Sequence, residues 1–220
     1  MSLLIVRCPF KPFIGGAAST QGDSSRDWQD LACAEKFEWY LLDESASDST
    51  HLDSVASSES GVGTTESMPY ADEVLVLLPT IDVRLIEAKV PLANAKKLQQ
   101  ILPNLIEEYV LTGAQTLSVQ AFPPAPGKPA VQRVIALIDR AWYAWLTKQL
   151  EGLISQRIRL IPDCLLLNLP LDGEPSSIAY QQQDEDLIFT VRSGDQLGLA
   201  WVERDMNHLS PGEIKLPQSL

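Results

Sequence analysis

Positive charge is scarce in this 220-residue chain: 17 Lys and Arg stand against 29 Asp and Glu, a formal charge of −12. That balance excludes nucleic acid as the expected partner, because holding phosphates needs a surplus of cations. Histidine is scarcer still. His51 falls in a Ser-rich segment and His208 in a polar C-terminal one, so nothing orients either imidazole as a general base and a His/Ser catalytic pair is not expected. Cys8, Cys33 and Cys164 are odd in number, share no CxxC spacing and pair with neither histidine. They read as reduced thiols of a cytoplasmic protein rather than as a disulfide framework or a zinc site. No apolar run approaches the roughly 18 residues needed to span a bilayer, and Leu3–Val6 is too short for a signal-peptide core. The chain is therefore expected to be soluble. GxxxxGK[ST], GxGxxG after a strand, HExxH and GxSxG are all missing. No catalytic, cofactor-binding or metal-ligating residue is expected, and the partner-binding surface carries no motif.

What is present is the composition of a globular chain with a sizeable core, 45% apolar. Its acidity is concentrated early: up to Asp72 there are 12 acidic residues against 4 basic, a net −8. Solubility is the first reading of that charge, and steering toward a basic partner is the second. Asp43 to Asp72 carries eight serines and few large apolar residues, a composition that does not offset the entropy of ordering, so an exposed, mobile insertion is expected over 43–72. Gly61-Val62-Gly63-Thr64-Thr65 inside it is read as linker rather than phosphate loop, since no apolar strand precedes it and no Lys-Ser/Thr pair follows.

Strand-like runs alternate with two amphipathic helices. Leu3–Val6 and Phe37–Leu42 read as strands, with an irregular Gly/Pro/Ser loop over Phe10–Asp23 between them. Val74–Leu78 is strongly apolar, and Pro79–Asp82 is expected to turn it into Val83–Val90 as an antiparallel hairpin. A first helix carries Leu98, Ile101, Leu102, Leu105, Ile106 and Tyr109 at helical spacing, with Pro103 inside it and Gly113 expected as its C-terminal cap. Strands over Leu117–Phe122 and Val131–Ile138 flank a Pro-rich loop. Asp139 is placed to cap a second helix whose face is Trp142, Trp145, Leu146 and Leu150, read as core. Ile158–Ile161, Cys164–Leu167, Ser177–Gln181, Leu187–Arg192 and Gln196–Val202 are expected to form a β-meander, with Ser193-Gly194-Asp195 as a tight hairpin turn. Glu107-Glu108 and Asp184-Glu185-Asp186 read as solvated surface, since adjacent helical positions do not face each other and turn carboxylates are usually hydrated.

This order of elements is similar to that of ribonuclease-H-like domains, the building block of actin-like ATPases. The first strand runs into Arg7-Cys8-Pro9-Phe10-Lys11-Pro12 instead of an Asp-x-Gly turn, and the two prolines remove backbone donors that would cradle a phosphate. Four segments, in order, resemble the family of type II secretion system protein L, the GspL family. They are Val76-Leu77-Leu78-Pro79 with Val83 and Val90-Pro91; Leu102-Pro103-Asn104-Leu105-Ile106-Glu107-Glu108; Trp142, Trp145-Leu146 and Gly152 followed by Ile161-Pro162-Asp163 and Leu167; and Arg192-Ser193-Gly194 with Gly198. The segment before Asp72 departs from that pattern, and Ser118 stands where relatives often have His.

The resemblance implies an α+β (mixed α/β) fold of ribonuclease-H-like, actin-like ATPase-type subdomains with mixed sheets and a C-terminal β-meander, working without ATPase activity or cofactor. It implies 1–92 as the N-terminal part of the first subdomain with the insertion 43–72, 93–162 as the two-helix and strand region, 163–209 as a β-rich subdomain, and 210–220 as a tail toward a transmembrane segment that this chain lacks. The function implied is a non-catalytic adaptor of the inner-membrane platform, at the cytoplasmic face of the bacterial inner membrane. It recruits the N-terminal domain of the secretion ATPase and couples it to pseudopilus assembly. Other platform proteins are the further partners implied, homodimerisation is compatible with it, and the membrane is met only through the missing segment. The alternatives are an actin-like ATPase or sugar-kinase-like enzyme, and an actin-like scaffold of another pilus or division machine.

Overall fold

A computed structural model describes residues 1–11, 36–43, 58–110, 113–169, 177–183 and 186–203. The chain divides into two compact units, residues 1–82 with 139–161, and residues 83–138 with 162–220. Neither unit is one continuous stretch, so the boundaries expected at 92/93 and 162/163 do not separate the compact bodies. The chain leaves the first unit after Asp82 and re-enters it at Asp139.

The first unit holds a five-stranded sheet in the order β3-β2-β1-β4-β8, from β1 (Ser2–Arg7), β2 (Phe37–Asp43), β3 (Ser58–Gly63), β4 (Glu73–Leu78) and β8 (Arg157–Pro162). β1 pairs antiparallel with β2 and parallel with β4, and β2 pairs antiparallel with β3. Among these four strands only β2 runs counter to the rest, an arrangement that fits a ribonuclease-H-like half. β4 is buried along its whole length, which its continuous Val/Leu run requires of a central strand covered on both faces. That position, between β1 and β8, also overturns the expected hairpin. β4 has no free edge left for Val83–Lys89, and the chain turns through a short 3-10 segment, Thr80–Asp82.

β3 corrects the expected insertion. Residues 58–63 are paired strand and Thr65 and Ala71 are buried, while 44–57 lie outside the described residues. Composition misleads here because Gly61 faces Trp39 across the strands, where an added Cβ would stand 2.7 Å from the indole. The glycine makes room for a ring. The loop expected over Phe10–Asp23, past Lys11, and the tail 210–220 also lie outside the described residues.

The second unit contains a sheet in the order β5-β7-β6, from β5 (Val83–Lys89), β6 (Leu117–Ala121) and β7 (Gln132–Asp139), covered by α1 (Ala95–Leu105). Leu98, Leu102 and Ile106 are buried in one cluster with Val90, Ala121, Ile135 and Leu137, each large side chain contributing roughly 1.5–3 kcal/mol. That burial offsets the backbone bond lost at Pro103, and the ladder resumes where the Ile106 N–H donates to the Leu102 carbonyl at 3.1 Å. α1 begins at Asn94, whose side chain accepts the Lys97 N–H. It ends at Ile106, well before Gly113, which instead precedes a 3-10 turn with φ −56°; the expected glycine cap is not formed.

A second three-stranded sheet, ordered β11-β10-β9, completes this unit with β9 (Ile178–Gln183), β10 (Asp186–Arg192) and β11 (Gly198–Glu203). This antiparallel meander is shorter than expected. Residues 157–162 join the first unit's sheet, and Asp163–Leu166 form a 3-10 turn rather than a strand.

Candidate functional site

In open sheets containing parallel strands, ligands gather beyond the strands' carboxyl ends, and β1 and β4 present such an end in the first unit. Past β1 the chain stays extended, with the Cys8 N–H donating to the Leu77 carbonyl at 2.9 Å. Pro9 then supplies no N–H. Two residues further on, the Lys11 N–H goes to Asp82 Oδ2 at 2.8 Å, and the Lys11 ammonium reaches Asp139 Oδ2 at 3.0 Å. Asp82 follows β4 and Asp139 ends β7, so residues far apart in sequence converge on one lysine.

Asp139 serves twice. Its Oδ1 accepts the Trp142 N–H at 2.8 Å as the N-cap of α2 (Arg140–Gln149), the role expected of it. Trp142, 1% exposed, then stacks on Trp145 at 4.7 Å. Trp142 is core, whereas Trp145 is only half-buried. Burial, and after it the Asp82 carboxylate, pushes the Cys8 thiol well above its ordinary value, so it is a neutral, unreactive group.

The end of the sheet is thus occupied by an ammonium and two carboxylates of the chain's own. Such a network suits structure. Beyond β1 the chain offers a lysine whose ammonium is paired with Asp139 and whose N–H is bonded to Asp82, and a proline in place of one of the backbone donors that a phosphate cradle uses. Sequence reasoning anticipated the proline and the cap but not the lysine, since no spacing rule links positions 11, 82 and 139.

Glu107 and Glu108 are exposed. Asp184, Glu185, His51, His208 and Cys33 lie outside the described residues, and among the described residues no group of three or more His, Cys, Asp or Glu is arranged to hold a metal ion. No helix among them is long and apolar enough to cross a membrane. On the first unit's surface, Met68, Pro69 and Tyr70 border a 90 Å³ cleft with Leu4 and Ile154 on its walls. Tyr70 and Ile154 are 57% and 76% exposed, a pair of large apolar groups on one small depression.

No protein-family model matches this sequence, and no curated protein matches it by sequence. Among solved structures, the cytoplasmic domain of EpsL, an inner-membrane component of the type II secretion system of Vibrio cholerae, is similar over 91% of this chain and 71% of its own, at 18% identity and TM-score 0.51. A PilM–PilN type IV pilus biogenesis complex chain is similar over 61% of this chain and 43% of its own, at 18% identity and TM-score 0.38. A Bacteroides thetaiotaomicron protein with an actin-like ATPase fold and unknown function is similar over 93% and 71%, at 10% identity and TM-score 0.41. The chain has the α+β fold of the EpsL cytoplasmic domain.

Proposed function

We propose that this chain is a non-catalytic adaptor of the type II secretion platform, a counterpart of protein L's cytoplasmic domain. In this reading it works at the cytoplasmic face of the inner membrane and recruits the N-terminal domain of the secretion ATPase. The observation that carries the reading is the fold shared with the EpsL cytoplasmic domain along 91% of the chain. Lys11 at the carboxyl end of β1 and β4, its ammonium on Asp139 and its N–H on Asp82, supports the non-catalytic half of it. The chain's net −12 favours encounter with a basic partner surface.

Isothermal titration with the N-terminal domain of the secretion ATPase from the same organism tests it. One-to-one binding at micromolar affinity or tighter is the expected result, with Tyr70→Ser and Ile154→Asp as the first surface variants. The absence of heat with both proteins folded would overturn it. ATP with Mg²⁺ is expected to leave the melting temperature unchanged; protection of about 2.7 kcal/mol at a hundredfold excess over the dissociation constant would instead favour the actin-like ATPase or kinase alternative.

A further inference from the structure

The sheet β5-β7-β6 has two edges, and they are built differently. β5 carries Arg84, Glu87 and Lys89, all exposed, the kind of charges with which an edge strand discourages pairing with another chain. β6 carries none. It lies inside the longest run of the sequence without a charged residue, Tyr109 to Gly127, in a chain that is 21% charged. The edges of the first unit's sheet are charged as well, with Glu59 on β3 and Arg157 and Arg159 on β8. β9 lacks charge too, but it runs into Asp184-Glu185-Asp186, three like charges that an acidic neighbour would have to approach.

The backbone of β6 shows which groups face outward. The Phe122 N–H donates to the Val134 carbonyl of β7 at 2.8 Å, and successive residues of a strand turn to opposite sides, so Val119 and Ala121 point their N–H and C=O groups away from β7. Ala121 agrees: its carbonyl is met by the side chain of its own neighbour, Gln120 Nε2 at 3.2 Å. Among the described residues no strand lies beyond β6. On the face under α1, Leu117 and Val119 pack against the buried cluster yet are only partly buried themselves, so that core is open at this edge. Ser118 and Gln120 take the other face. The strand stops at Pro123, whose carbonyl accepts Gln196 Nε2 at 3.2 Å.

We propose that β6 pairs with β6 of a second copy of this chain, antiparallel about a two-fold axis through Val119, to make one continuous sheet. Symmetry fixes the partners. Val119 meets Val119 and each N–H donates to the other's carbonyl; Ser118 falls opposite Gln120, hydroxyl beside amide; Leu117 falls opposite Ala121, apolar against apolar. No pair sets like charges together, which matters for two molecules of −12 each. Nothing from Tyr109 to Gly127 attracts a basic partner instead, and the paired valines close the open side of each copy's core. Because it rests on an edge of the second unit, this pairing is independent of the secretion reading.

The test is sedimentation velocity over about 5–500 μM protein, where one short strand pair is expected to give a dissociation constant of about 50 μM. Val119→Pro deletes an outward N–H and is expected to weaken association by about tenfold or more. Gln120→Lys, at an exposed position, sets two cations across the axis and should weaken it by about threefold with the fold intact. Gln181→Lys on β9 should leave it unchanged. In a Cys33→Ser background, with Cys8 and Cys164 buried, air oxidation of Val119→Cys is expected to yield a disulfide-linked dimer. Only the axial residue meets its own copy within the roughly 4.4–6.8 Å between Cα atoms that a disulfide spans, so Gln120→Cys should yield none. A monomer at every concentration would overturn the proposal. So would a dimer that Gln181→Lys weakens and the β6 variants do not, which moves the interface to β9, or equal cross-linking of the two cysteine variants, which excludes this register.

Discussion

The carboxyl end of β1 and β4 and the β10–β11 hairpin are both built from charged residues beside glycine or proline, yet they are finished differently. At the first, Lys11 meets Asp82 and Asp139, and Asp139 also caps α2. At the second, Arg192 is satisfied by four carbonyls while Gln196 Oε1, four residues further on, is met by none of the described residues. Self-paired polar groups stabilise a fold, whereas a buried acceptor held in place without a donor costs it about 1–3 kcal/mol.

Substitutions sharpen that contrast. The largest effect is expected at the helix that Asp139 starts. Trp142→Ala should cost about 3–5 kcal/mol in denaturant unfolding, and Trp145→Ala, at a half-buried ring, clearly less. Equal losses would mean that the stack, not the depth of burial, holds α2. Next comes the hairpin clamp. Arg192→Ala leaves four carbonyls without their donor and is expected to cost about 3 kcal/mol, while Gln196→Leu should change stability by less than about 1 kcal/mol. A large loss in Gln196→Leu would make Gln196 a structural residue and erase the difference between the two regions.

Cys8 offers a pH test at the first region. Because burial keeps its folded-state value above the ordinary 9.0, the unfolded chain loses that proton first as pH rises. The thiol's contribution is complete below pH 9.0 and declines above it, by about 1.4 kcal/mol per pH unit until the folded thiol itself ionises. Cys8→Ala should flatten this part of the stability curve, and an unchanged slope would refute it. The smallest effect is at Lys11, whose ion pair is about one-third exposed on each side. Lys11→Ala should cost less than about 1 kcal/mol, against roughly 0.5–2 kcal/mol for Asp139→Ala, which also removes the cap.

Features carried by local sequence could be read directly. The unbroken apolar run of β4, the capping carboxylate of Asp139 and the spacing of Leu98 and Leu102 each state a local preference. Pairing could not be read in the same way. Val83–Lys89 has the composition of a hairpin partner, but its register is with Gln132–Ile138, from Lys89 opposite Gln132 to Val83 opposite Ile138. Gly61 looks like linker until Trp39 is placed opposite it. The three residues that close the carboxyl end of β1 and β4 lie up to 128 positions apart, and Gln196 gives no sequence signal because its isolation depends on where Pro123 falls.

The return of the chain to its first unit at Asp139 has a consequence for how the protein is made. A ribosome that has delivered β1 to β4 has not yet delivered α2 or β8, and the 57 residues from Val83 to Asp139 must emerge before either exists. Until then β4, apolar on both faces, has an uncovered edge. The second unit also waits for residues beyond 162, so neither unit can close early. Such long-range closure slows folding and prolongs exposure of unpaired strands. During synthesis, the nascent chain is therefore expected to be most vulnerable to aggregation and most in need of a chaperone in the interval before residue 161 leaves the exit tunnel.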